Sequence, residues 1–207
     1  GGTDTTGINN IAMGTNAMDA LTTGICNIAI GAYALTNSTT GCFNIGIGKS
    51  AIAGAVTTGI DNFAIGQSAM DALTSGICNV AIGTNALGAS TTGCQNVAIG
   101  TLAMGATDTT GYNNIAIGEN TMDALTTGAC NTAIGKVALG AATTGCFNVA
   151  MGYYALGGAV TTGCENVALG VYAMDALTGG RWNVGIGTNA LGASTTGYRN
   201  IAIGHTA

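Results

Sequence analysis

In this chain of 207 residues only 6% are charged, four basic against nine acidic for a net charge of −5, so no basic stripe exists to neutralise phosphates and nucleic acid is not an expected partner. Hydrophobic residues make up 47% of the chain, but alanine carries much of that, and no run approaches the ~18 apolar residues of a membrane span. So little charge leaves little repulsion between copies, which favours association into bundles or filaments.

The pentad Asn-[apolar]-Ala/Gly-[apolar]-Gly recurs twelve times, closing at Gly14, Gly31, Gly48 and so on to Gly204. Its glycines are spaced 17, 17 and 18 residues apart before the series restarts, so the full unit is a 52-residue superrepeat copied about four times. A fixed short period marks a solenoid, and a coil of this length is too short for a helix pair. The expected fold is all-β, a parallel β-solenoid of about twelve coils, with 1–207 as one repeat domain. Gly2 to Gly7 reads as the end of one coil and Gly204 to Ala207 as the start of another, with no polar cap at either end. Laid together, Ala207 of one copy and Gly1 of the next complete a 17-residue coil, an expectation of head-to-tail assembly.

Within a coil, the pentad Asn, as at Asn10, Asn27 and Asn44, is expected to form a hydrogen-bonded ladder with the coils above and below. The two apolar residues of the pentad share one face of a strand, which hydrophobicity assigns to the lumen, leaving the intervening Ala, or Gly46 and Gly185, outside. A small outward residue in every coil would let another β-surface approach. Next comes an Ala-large pair such as Ala34-Leu35, a second inward anchor on a short strand or a single helical turn. Thr-Thr-Gly closes the coil, altered only to Thr74-Ser75-Gly76 and Thr178-Gly179-Gly180. The extra residue of each 18-residue coil falls before Thr-Thr-Gly and is expected to bulge outward. Asp19, Asp71, Asp123 and Asp175 recur with a similar triple period; at ~14 Å apart they cannot share a metal ion and read as solvated charges.

The seven cysteines gather at the corner after Thr-Thr-Gly. Cys26, Cys78 and Cys130 take its second position, and Cys42, Cys94 and Cys146 the first position one coil later. A one-coil separation offset by one residue suits a disulfide, so the spacing predicts staples Cys26–Cys42, Cys78–Cys94 and Cys130–Cys146, with Cys164 left over in register with Cys146. Zinc lacks a Cys-x-x-Cys pair and a useful histidine, so no metal or other cofactor is expected. Oxidised cysteines point outside the cell, to a secreted, cell-surface or virion-surface setting. The single histidine, His205, stands in an unfinished coil, and no base, nucleophile and orienting partner are grouped, so the chain reads as non-enzymatic. Variation concentrates in the two residues after the pentad Gly and the two after Thr-Thr-Gly. Candidate surface contacts there are Tyr33, Tyr153, Tyr154, Tyr172, Trp182 and Tyr198.

Pentads such as Asn79-Val80-Ala81-Ile82-Gly83 and Asn96-Val97-Ala98-Ile99-Gly100 resemble the head repeats of trimeric autotransporter adhesins. They also resemble the Asn-x-Ala-Ile-Gly-x-x-Ala-Leu repeats that precede intramolecular chaperone domains in phage tail fibres and related surface proteins. That resemblance spans the whole chain and implies a parallel β-roll, often trimeric, serving as an extended surface fibre or adhesive head. The expected function is therefore a structural one, a subunit or segment of an extracellular fibre that associates with itself laterally or head to tail. Ice binding by a threonine ladder (Thr23, Thr40, Thr58, Thr92, Thr110, Thr127, Thr144, Thr162 and Thr196) is one alternative, and glycan binding by the tyrosine-rich edges is another.

Overall fold

The computed structural model describes residues 6–54 and 56–207, and the chain winds as a β-solenoid of about 11 turns. Twelve three-residue strands, β1 (Ile11–Met13) to β12 (Ile201–Ile203), one per coil, form a single sheet in chain order. Every pair is parallel and in register, so that Ile11 stands beside Ile28 and Val184 beside Ile201. The described residues contain no helix, and thus none long and apolar enough to cross a membrane. The head-to-tail junction expected at Gly1 lies outside the described residues.

Backbone groups are used in both axial directions, because a coil this short can satisfy few of them internally. The Gly31 N–H donates to Met13 C=O of the coil before (2.8 Å), and the Leu35 N–H to Ala51 C=O of the coil after (2.9 Å). A second line of parallel contacts runs along the cysteine corner, where Cys42 pairs with Ile60, Cys94 with Tyr112 and Arg181 with Tyr198.

The faces of the strand are the reverse of those expected from hydrophobicity. Alanine points inward, fully buried at Ala29, Ala64, Ala81 and Ala98, while the flanking Ile, Val and Leu residues face outward, half-buried or exposed. The reason is the thinness of the coil. Opposite the strand, the large residue of the Ala-large pair fills the lumen; Leu35, Ile52, Met70 and Leu87 are each at most 1% exposed. A methyl is all that remains on the strand side: a Cβ added at Gly46 would already stand 3.4 Å from Leu35 Cγ. The Ala-large pair is thus an inward anchor, as expected, but it lies on neither strand nor helix. Its large residue has left-handed backbone, φ 51° at Leu35 and 53° at Met70. That conformation is disfavoured for a side chain with a Cβ, and complete burial together with coil-to-coil hydrogen bonds holds it there.

A third inward file precedes Thr-Thr-Gly and explains the 52-residue period. It reads Leu21, Ser38, Thr57, then Leu73, Ser90, Thr109, then Leu125, Ala142, Thr161, all buried. In the 18-residue coils the first Thr of Thr-Thr-Gly takes the inward place, and the residue before it (Val56, Asp108 or Val160) is expelled to solvent. The pentad glycine is demanded twice over. Gly83 has φ 137°, and a Cβ on it would lie 2.5 Å from the Gly100 carbonyl oxygen of the next coil.

The asparagine ladder is present and buried. Asn96 Oδ1 accepts from the Asn114 backbone N–H (3.0 Å) and from Asn114 Nδ2 (3.1 Å), while Asn96 Nδ2 donates to Gly111 C=O (2.8 Å). Asparagine alone among the small side chains offers an acceptor and two donors on a planar group, which is why it recurs in every coil. Replacing Asn96 with Ala removes a buried acceptor and a buried donor at once. The Asn96→Ala variant should lose on the order of 3 kcal/mol in denaturant unfolding, whereas Asn200→Ala, at an exposed position in the last coil, should lose less than about 1 kcal/mol because water replaces the lost partners. Equal losses would mean that the ladder contributes nothing through burial.

Candidate functional site

The outward face of the sheet carries two parallel files, one from the first and one from the third residue of each strand. Across twelve strands Thr132 is the single polar residue in those files and none is charged. Most are half-buried against their axial neighbours, and Ile30, Ile115 and Met151 reach 37%, 39% and 41% exposure. At ~4.7 Å per coil the files extend for about 50 Å, and a width of ~14 Å gives an apolar face on the order of 700 Å². An ordinary monomer's largest apolar patch is about 300–600 Å².

The threonine ladder is a single file. Thr23, Thr40, Thr58, Thr92, Thr110, Thr127, Thr144, Thr162 and Thr196 are all exposed along one corner, interrupted by Ser75 and Gly179. The preceding threonine turns its hydroxyl to the backbone, as Thr74 Oγ1 to Thr91 C=O (2.9 Å) and Thr161 Oγ1 to Leu177 C=O (3.0 Å), and in the exposed file Thr58, Thr110 and Thr162 make longer bonds of the same kind at 3.5 Å.

The predicted disulfides are not formed. All seven cysteines are free thiols, so Cys26–Cys42, Cys78–Cys94 and Cys130–Cys146 are corrected to unpaired neighbours. Cys26, Cys78 and Cys130 sit at left-handed φ of 58°, 58° and 59°, a conformation that Cys42, Cys94 and Cys146 of the next coils do not share. Those next-coil thiols fold back on their own corner: Cys42 Sγ donates to Thr40 C=O (3.4 Å) and Cys94 Sγ to Thr92 C=O (3.2 Å). Cys146 and Cys164, which the register placed side by side, do meet, the Cys146 N–H donating to Cys164 Sγ at 3.3 Å.

The aromatic edge residues separate into two clusters and one isolated ring. Tyr153, Tyr154 and Tyr172 pack together after the pentad glycines of two adjacent coils, with ring centroids 4.7 to 5.5 Å apart. Desolvation, and then a hydrogen bond with Tyr153, hold the Tyr172 phenol above its ordinary pKa. Beside them Lys136 pairs with Glu119 at 3.0 Å, and that hydrogen bond raises the ammonium pKa. On the cysteine corner, Trp182 and Tyr198 meet edge to face at 4.7 Å, and the Arg199 guanidinium lies 5.1 Å from the Trp182 ring and 5.4 Å from that of Tyr198. The Trp182 indole N–H donates to the Glu165 carboxylate. Tyr33, flanked in register by Asn16 and Ser50, joins neither cluster.

The recurrent aspartates have a role that their reading as solvated charges missed. Asp123 Oδ1 accepts from the Ala106 N–H (3.0 Å) in the bulge of the preceding 18-residue coil, and Asp71 accepts from Ala53 and Gly54 in the same way. Each carboxylate accepts from N–H groups of the bulge, so aspartate follows bulge with one period. Among the described residues no group of three or more His, Cys, Asp or Glu side chains is placed to hold a metal ion. Compared with known proteins, the chain matches no family model, no curated protein and no solved structure.

Desolvation raises the carboxyl pKa of both Asp71 and Asp123 above 3.8, against the lowering effect of the N–H groups they cap. The folded state therefore binds these protons more tightly than the unfolded chain, and their contribution to stability falls as pH rises from 3.8 through the raised values. Urea unfolding at a series of pH values from about 3 to about 6 should show this slope, and the Asp71→Asn, Asp123→Asn double variant should flatten it relative to the parent. A variant that loses stability more steeply than the parent on alkalinisation would contradict the assignment.

Proposed function

We propose that this chain is a non-enzymatic structural element of an extracellular fibre, held to further copies of itself through the outward face of its sheet. The observation that carries the reading is that face: two files of large apolar side chains, broken only at Thr132 and uncharged over their whole length. A stable interface takes roughly 800 Å² from each partner, close to the area on offer, and files repeating at one spacing on one copy match those on another. The inward turn of the alanines removes the small-residue surface as an argument for assembly and supplies this stronger one. The extracellular setting rests on the likeness to adhesin heads and tail-fibre repeats, which is also the support for a trimer. The absence of a grouped base and nucleophile in the sequence supports the non-enzymatic reading.

Ice binding is the second reading, supported by the regular exposed threonine file and weakened by its single width and its breaks at Ser75 and Gly179. Thermal hysteresis that is abolished by Thr92→Lys, Thr110→Lys and Thr127→Lys would favour it. Hysteresis that is absent, or that survives those changes, would remove it. For the fibre reading, sedimentation should find the parent chain oligomeric at micromolar concentration, and Ile82→Lys with Ile99→Lys should shift it to monomer while the β-sheet circular dichroism persists. A parent chain that is monomeric at every concentration would overturn self-association through this face.

A further inference from the structure

In a solenoid the residues that repeat serve the coil, so a departure from the repeat that the fold does not require is where a local function can be placed. One corner of coils ten to twelve collects several such departures. Two of the four basic residues, Arg181 and Arg199, stand there with the chain's one tryptophan and with Tyr198. Neither arginine has a carboxylate in ion-pair contact among the described residues. Trp182 and Tyr198 are 36% and 52% exposed, and the hydrogen bond to Glu165 fixes the indole.

Gly179 adds an independent observation. It breaks the threonine file next to this cluster, two residues before Arg181. Its φ is not in the left-handed region where the pentad glycines lie, and a Cβ built on it would meet nothing within 4 Å. Neither conformation nor packing calls for glycine, and threonine occupies the place in the coils on either side, at Thr162 and Thr196. What the glycine removes is the side chain that Thr162 and Thr196 display on either side, at the corner that carries the two exposed rings and the two unpaired guanidinium groups.

We propose that the corner formed by Gly179, Arg181, Trp182, Tyr198 and Arg199 binds an acidic saccharide. The apolar C–H face of a pyranose ring stacks on an aromatic face, and guanidinium groups pair in bidentate fashion with a carboxylate or sulfate. The rest of the chain carries net negative charge, which makes this the place where an anion is attracted. An acidic peptide fits less well. Extended peptides bind by main-chain pairing, and here the Arg181 N–H already donates to Gly197 C=O, the Trp182 N–H to Cys164 C=O and the Arg199 N–H to Arg181 C=O. Glu165 lies two coils from Arg199, about 9 to 10 Å along the axis, and serves to orient the indole.

Because Trp182 is the only tryptophan, its fluorescence reports on this corner alone. The parent chain is titrated with oligogalacturonate, with a heparin oligosaccharide, with neutral maltohexaose and with poly-glutamate. A saturable change with oligogalacturonate assigns a carboxylate sugar, one with heparin a sulfated sugar, and maltohexaose should give none. Arg181→Gln with Arg199→Gln should weaken binding at least about tenfold, and Gly179→Thr, which restores the side chain its neighbours carry, should weaken it by a similar factor. The variants should keep the parent's oligomeric state, so this test fails or succeeds separately from that of the sheet face. No saturable change with either acidic sugar, equal binding of poly-glutamate, or affinity indifferent to the two arginines would overturn the proposal.

Discussion

The width of the coil interior governs this molecule. Seventeen residues closed into a loop leave a thin lumen, and the place opposite the strand is taken by Leu35 and its counterparts from the turn. The strand opposite can contribute only a methyl, so alanine faces in and the β-branched residues beside it face out. From this one restriction follow the left-handed backbone at Leu35 and Met70, since the chain must bend sharply to aim a large residue back across so thin a space, and the apolar outer face of the sheet. A wider coil would bury the isoleucines and have a polar exterior. The surface that supports self-association is therefore a by-product of a core too small to contain its own hydrophobic residues.

Polar groups do inside the coil what bulk cannot. The buried asparagines tie each strand entrance to the neighbouring coil through both side-chain donors and the acceptor, and they link successive coils into one chain of bonds. The aspartates do the same outside, at the one place in three coils where the chain bulges. Asp71 and Asp123 each bind the bulge made by the coil before, so the triple period is a unit in which an irregularity and its cap travel together. An inward file alternating Leu, Ser or Ala, and Thr keeps pace with it.

Much of this was legible because repetition converts a single sequence into a stack of aligned examples. The pentad period gave the coil length, the parallel register and the asparagine ladder directly, since an element that must stack on its own copy cannot vary. Facing was not legible. The rule that two apolar residues at i and i+2 share a face was right for Ile28 and Ile30, yet the choice of face depends on lumen width, which no local pattern states. The conformation at the cysteine corner was not legible either: axial spacing can be counted along the chain, but the left-handed φ at Cys26 cannot. The aspartates were seen to recur with the bulge, and the missing step was to ask which backbone donors a bulge presents.

The two surfaces proposed to act differ in the way their residues relate to the repeat, and this bears on how a solenoid acquires function. The sheet face uses positions present in every coil, so its contribution grows with each coil added and tolerates a single exception such as Thr132. The corner at Trp182 uses a tryptophan and arginines that no coil outside it carries, on positions where neighbouring coils carry Cys164, Glu165 and ordinary threonines. A substitution on the face alters one part in twenty-four of a summed interaction, taking twelve strands with two outward residues each. A substitution at the corner removes a partner that no other coil supplies. Regular positions can thus support an extended structure while irregular ones remain free to specify a ligand, because the backbone hydrogen bonds that build the coil make no demand on the side chains displayed at its edge.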